Sequence, residues 1–194
     1  MNFLKRTYNW TLEKAQHKNA KWYLSLISFV ESSFFPIPPD ILLIPMALAS
    51  KANALFYAFI CTLFSVLGGI LGYAIGYFFY NSVGIYIVEF YHLENSFNIF
   101  ENYYKEFGIL IVLGAGITPF PYKFITIASG VFGLNIFLFI IISIIGRGLR
   151  FYLIAILLYF FGEKIKLIID KYFNILTIVF FILLVGSVFI IRFL

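Results

Sequence analysis

Three stretches of this chain, Leu55 to Tyr80, Ile136 to Phe161 and Tyr172 to Phe193, are almost wholly apolar. Each meets or exceeds the roughly 20 residues that a helix needs to cross a hydrocarbon layer about 30 Å thick. Apolar residues make up 62% of the sequence, well above the roughly 45–50% of soluble domains. A bias towards Phe and Ile in coding would raise that fraction without producing such runs. The sequence therefore predicts an all-α integral membrane protein with three full spans.

The net charge of +5 does not point to nucleic acid, because the basic residues gather at segment ends, as topology signals do. Met1 to Lys21 carries a net charge of +4 and, with Trp10 and Trp22, is expected to form a basic interfacial helix on the cytoplasmic surface. The basic start, an apolar stretch and Ala47-Leu48-Ala49 imitate a secretory signal, but Glu31 and Pro36-Ile37-Pro38-Pro39-Asp40 interrupt it, so the segment is expected to be retained. The single cysteine, Cys61, lies inside the first span and excludes an intrachain disulfide.

Two further apolar segments are too short to span, because each is cut in the middle. Residues 22–50 are broken at Pro36, Pro38 and Pro39, and residues 108–133 at Pro119 and Pro121. Proline removes a backbone donor and clashes with the preceding turn, so a continuous helix cannot pass. The two arms left in each are about half a bilayer long, which fits a re-entrant hairpin. Pro36, Pro38 and Asp40 align with Pro119, Pro121 and Lys123 at one fixed offset. Paired interrupted segments of this kind point to a transporter built from repeats.

If both hairpins turn back, the N-terminal segment, Lys51, Lys164, Lys166 and Lys171 all lie on the cytoplasmic side. The amphipathic connector 81–107, with Glu89, Glu94, Glu101 and Glu106 against Lys105, lies outside, as the positive-inside rule asks. The expected location is the cytoplasmic membrane, multi-pass, with the N-terminus cytoplasmic. One full crossing separates the hairpins, so they enter from opposite faces as an inverted repeat with their tips at the midplane.

Glu31, Asp40, Lys123, Arg147 and Arg150 are the ionisable groups placed in the hydrocarbon layer or at the tips. Arg147 and Arg150 are three apart and share one helical face. An intramembrane arginine costs about 2.5–3.5 kcal/mol on insertion scales, so both need partners. A structural ion pair with Glu31 or Asp40 is one reading. The other is a substrate or proton site for an anionic headgroup, gripped by guanidinium. Gly68, Gly69, Gly72 and Gly76 form a packing stripe, and Gly130, Gly146 and Gly148 are expected to admit close helix approach.

His17 and His92 lie in polar flanks, and no Gly-x-Ser-x-Gly, His-Glu-x-x-His or Cys-x-x-Cys occurs. No enzymatic activity, metal or cofactor is expected. The expected partners are membrane lipids and no nucleic acid; homo-oligomerisation stays open.

Glu31 with Pro36, Pro38 and Asp40, then Thr118-Pro119-Phe120-Pro121-Tyr122-Lys123 with Ala128, Ser129 and Gly130, and Ile144-Ile145-Gly146-Arg147-Gly148-Leu149-Arg150-Phe151 together resemble the DedA (VTT, SNARE-associated Golgi protein) superfamily, the YqaA-like branch in particular. The resemblance spans roughly residues 29–162. It implies two facing re-entrant hairpins. It also implies scramblase- or flippase-like handling of phospholipid or polyprenyl phosphate, or a role in membrane homeostasis and proton-motive force. The family's acids would fall on Glu31 and Asp40, and its bases on Lys123, Arg147 and Arg150. Better-known bacterial members carry arginine where this chain has Lys123, which lacks the bidentate fork.

Overall fold

The computed structural model describes residues 19–34, 38–92, 94–118, 120–162 and 164, and among them all regular structure is helical. Residues 1–18 of the interfacial helix expected over Met1 to Lys21, the span Tyr172 to Phe193, and Pro36 and Pro119 lie outside the described residues.

Helix α1 (Ala20–Ser33) ends ahead of the first proline cluster, and α2 (Asp40–Ala49) begins directly behind it, with Pro39 as its N-cap. Proline suits that place because its φ is already helical and its missing donor would be unsatisfied there anyway. A short turn, Lys51–Asn53, leads into α3 (Ala54–Phe79), which continues through one widened turn at Tyr80–Gly84 into α4 (Ile85–Phe90). Helix α5 (Glu94–Ile117) leads to the second proline break, and α6 (Tyr122–Val131) follows with Pro121 as its N-cap. The last described helix is α7 (Ile136–Gly162). The second arms of both broken segments, α2 and α6, are 10 residues each, as the matched proline spacing predicts.

Two continuous helical runs, Lys51–Gly84 and Ile136–Gly162, are long and apolar enough to cross a membrane. They lie antiparallel. Phe139 meets Tyr73, with ring centroids 5.5 Å apart, while Phe151, Ala155 and Leu158 share a core with Ala54, Ala58 and Cys61.

Helices α1–α2 and α5–α6 flank this pair from opposite ends. Ala20 and Leu24 of α1 pack with the start of α3, and by the end of α1 the Ser33 hydroxyl reaches the Gly68 carbonyl at 3.1 Å. Helix α6 takes over where α1 stops: Tyr122 and Thr126 lie beside Gly69, Ile127 beside Gly76, and Gly130 beside Tyr73 and Tyr77. The Thr126 hydroxyl donates to the Ser32 carbonyl at 3.0 Å, so the two half-helices abut end to end along α3. Helix α2 returns from Arg150 to the end of α7, where Leu48 lies against Gly162. Helix α5 follows α7, with Gly108 near Leu134 and Gly116 against Gly146.

Two boundaries differ from expectation. The connector does not end at 107: its second half and the first arm of the second hairpin are one helix, α5, with no break at Gly108. Gly108 fits inside the helix because a Cβ there would meet only side chains, those of Tyr104 and Leu134. The first half of the connector extends the first span instead, through α4.

The turn between α6 and α7 depends on Gly133, whose φ is +63°. The Leu134 amide closes back on the Ser129 carbonyl at 2.9 Å, a left-handed helix ending that favours glycine. Asn135 then caps α7, its Oδ1 accepting from the Phe137 and Leu138 amides at 3.0 and 3.2 Å. No heavy atom lies within 4 Å of a Cβ built on Gly133, so Gly133→Ala acts through backbone strain alone. Its expected cost is about 1–2 kcal/mol, read as a lowered unfolding midpoint of the detergent-solubilised protein.

Candidate functional site

The end of α1, the start of α2 and the end of α5 come together halfway along α3 and α7, and the charged residues converge there. Arg147 and Arg150 do share the inward face of α7 that their spacing predicts. Arg147 is 2% exposed, and its Nη2 donates to Glu31 Oε2 at 2.7 Å. Its Nε donates to Ser65 Oγ at 2.6 Å. Ser65 is in turn 2.6 Å from the Ser32 hydroxyl, which also reaches Glu31 Oε2 at 3.1 Å. The guanidinium carbon lies over the rings of Tyr122 and Phe151, at 4.9 and 4.7 Å from their centroids. Tyr122 is itself fixed by donating to the Ser143 hydroxyl. Residues of four helices, its own included, thus hold one cation, with carboxylate and hydroxyl at its edge and two aromatic rings in cation–π contact.

Arg150, one turn on, is held differently. Its Nη2 donates to Asp40 Oδ2 at 2.5 Å and its Nη1 to the Thr118 carbonyl at 2.5 Å. It therefore ties the start of α2 to the end of α5, the two tips that the proline breaks create. Arg150 and Asp40 are 16% and 19% exposed, and the pair is incomplete: among the described residues, buried Nε of Arg150 and Oδ1 of Asp40 have no hydrogen-bond partner.

Lys123 does not join this cluster as the sequence predicts. Its ammonium lies over the Phe124 ring, 5.4 Å from the centroid, and makes no ion pair among the described residues. The offset that aligns it with Asp40 sets its backbone position at the tip, but α6 turns the side chain aside. The cluster is two acid–arginine pairs, with the lysine beside it.

The glycines sort by what surrounds them. A Cβ on Gly68, Gly76 or Gly130 would come to 2.0 Å from a backbone oxygen, that of Phe29, Ile127 or Tyr73 respectively. On Gly72 it would meet the Thr126 hydroxyl, and on Gly146 the Leu113 carbonyl at 3.2 Å. Gly69 faces only side chains at 3.4 Å. Gly148 does not admit a close backbone approach: the one atom within 4 Å of a Cβ built there is the Thr62 methyl at 3.8 Å.

Sequence reasoning passed over Ser32, Ser65, Tyr122, Phe151, Gly116 and Pro45. The signals were present. Ser65 is a hydroxyl in the middle of a span, Phe151 lies four residues after Arg147 on the same face, and Tyr122 adjoins Lys123. Pro45 sits inside α2, where it deprives the Ile41 carbonyl of its helical donor.

No known family profile and no solved structure matches the chain. A Haemophilus influenzae protein, described as uncharacterized, is 39% identical over 157 residues, covering 81% of each chain. The chain belongs to the family of these proteins. A Histophilus somni relative, an uncharacterized homologue of HI0703, is 35% identical over 160 residues, covering 81% of this chain and 82% of its own. Neither description in this HI0703-related family states an activity.

Proposed function

We propose that the chain is a membrane-embedded transporter or scramblase of anionic lipids, phospholipid or polyprenyl phosphate, in the cytoplasmic membrane, and that its family is a YqaA-like branch of the DedA superfamily. The observation that carries this reading is the pair of acid–arginine contacts at the meeting point of two hairpin tips, midway along two membrane-length helices. Ionisable groups at that depth are costly and mark transport routes or structural locks. Exposed apolar residues run the length of α3 (Leu55, Phe59, Leu63, Leu67, Leu71 and Ile75) and of α7 (Phe137, Ile141, Ile144, Leu149, Leu153 and Phe160). Such continuous apolar faces fit a lipid surrounding better than water. In that setting α1–α2 and α5–α6 are re-entrant hairpins of an inverted repeat, and the gap between their tips is the headgroup route.

The test is leaflet exchange by the purified protein in phosphatidylcholine vesicles carrying fluorescent phosphatidylglycerol or polyprenyl phosphate. A membrane-impermeant quencher should remove only outer-leaflet signal from protein-free vesicles and nearly all signal when the protein is present. Protection of the inner leaflet in both would end the lipid reading. The unpartnered Asp40 oxygen favours one other reading, a proton-coupled carrier of small solutes. Solute-driven pH change inside the vesicles, without lipid exchange, would select it. A membrane-homeostasis factor that moves nothing would show neither signal.

A further inference from the structure

The two arginines differ in what they can still bind. Arg147 has little room and its bidentate edge is full: it is 2% exposed, its Nε and Nη2 are taken by Ser65 and Glu31, and the rings of Tyr122 and Phe151 lie against it. A phosphate could reach it only by dismantling four helices. Arg150 is reachable, and its guanidinium edge is half used, with Nη2 on Asp40 and Nε on nothing. Nε and Nη2 are the parallel donors that grip a carboxylate or phosphate bidentately. Asp40 uses one of them, through one oxygen, and leaves its other oxygen buried and unpartnered. A buried charge pair with an orphan on each side is poorly compensated.

Resting on the lipid-transport reading, we infer that Arg150 is the phosphate-binding residue of this route and that Asp40 is its resident competitor. An entering phosphate monoester takes the Nε–Nη2 edge and displaces the Asp40 carboxylate, while Nη1 stays on the Thr118 carbonyl. Arg150 is the shared contact of both tips, so losing Asp40 frees α2 from α5. The ligand thereby opens the gap that it must pass. Glu31 and Arg147 hold α1 to α7 throughout.

A lock that was only structural and a competed site predict opposite signs for one variant. Titration calorimetry of the purified full-length protein would use short-chain phosphatidic acid, inorganic phosphate and short-chain phosphatidylcholine as three separate probes. Asp40→Asn keeps the shape of the carboxylate but weakens its claim on Arg150, so phosphatidic acid should bind about tenfold more tightly, equivalent to about 1.4 kcal/mol. Arg150→Lys keeps the charge but removes the fork, and should lose binding in the wild-type and Asp40→Asn backgrounds alike. Equal responses to inorganic phosphate would assign the fork to free phosphate, and a response to phosphatidic acid alone would assign it to a lipid headgroup. Phosphatidylcholine should give little heat.

The wild-type protein supplies a second readout, independent of whether the variants fold. Hydrogen exchange with phosphatidic acid bound should rise over residues 40–44 and stay unchanged over residues 28–33. Weaker binding by a folded Asp40→Asn protein would overturn the inference, as would unaltered binding by Arg150→Lys, loss of binding on Lys123→Met alone, or ligand-induced protection of residues 40–44. Wild-type leaflet exchange that persists beside any of those results would leave the lipid reading standing. Absent exchange would remove that reading first.

Discussion

Glu31→Ala is expected to lower the stability of the folded protein by about 3–5 kcal/mol, the cost of removing one partner from a buried ion pair. That is a large share of the roughly 5–15 kcal/mol that holds a typical domain together. Glu31 Oε2 supplies the carboxylate for Arg147, and the remaining contacts of that guanidinium, the Ser65 hydroxyl and two ring faces, are neutral. Without Glu31 the cation stays sealed with no opposite charge in contact. The loss is read as a lower unfolding midpoint in detergent and a smaller monodisperse fraction on size exclusion. Adding Arg147→Met should recover most of it, since an apolar side chain of similar length stacks between Tyr122 and Phe151 without needing a counter-charge. An unchanged midpoint in the single variant would mean that Arg147 is neutralised by some other group.

Gly76→Ala and Gly68→Ala are the second pair with large effects. The added methyl would lie 2.0 Å from the carbonyl oxygen of Ile127 or of Phe29, a backbone atom of a packed helix that cannot swing aside. The expected cost is at or above about 3 kcal/mol, the upper end of the usual range for overpacking, because α1 or α6 must move off α3 as a body. Gly148→Ala and Gly114→Ala are the controls. Gly148 has only the Thr62 methyl at 3.8 Å and Gly114 has nothing within 4 Å, so alanine should be neutral or stabilising by up to about 1 kcal/mol through helix propensity. The same melting assay reads all four. Equal effects across the series would mean that glycine acts here through chain flexibility and not through helix proximity.

The parts of the fold that local rules govern were readable in the sequence. Clustered prolines stop a helix where the lone Pro45 inside α2 does not, so both breaks and the short arms behind them followed from Pro36, Pro38 and Pro39 and from Pro119 and Pro121. Three-residue spacing puts Arg147 and Arg150 on one face in any helix. Which acid meets which arginine was not readable, because that depends on how α1 and α2 dock on α7, more than a hundred residues away in the chain. Lys123 shows the same limit from the other side. An alignment offset carries a residue to a backbone position but says nothing of its rotamer, and the Phe124 ring beside it offered the ammonium a local contact. The boundary expected between residues 107 and 108 failed because a shift from polar to apolar composition does not end a helix, and the lone glycine there weakens one without stopping it. Gly148 misled because glycine spacing reports possible contact on a face, and the neighbouring helix lies against Gly146 instead.

The acid–arginine pairs also set an order of events during synthesis. Glu31 and Asp40 precede their partners by 116 and 110 residues, which at ribosomal rates of about 5–20 residues per second is a delay of roughly 5–20 s. Through that interval both carboxylates lack the arginines that pair with them in the final arrangement, and Glu31 has only the neighbouring Ser32 hydroxyl. Both carboxylates must therefore stay in contact with water or another polar partner until α7 brings their arginines.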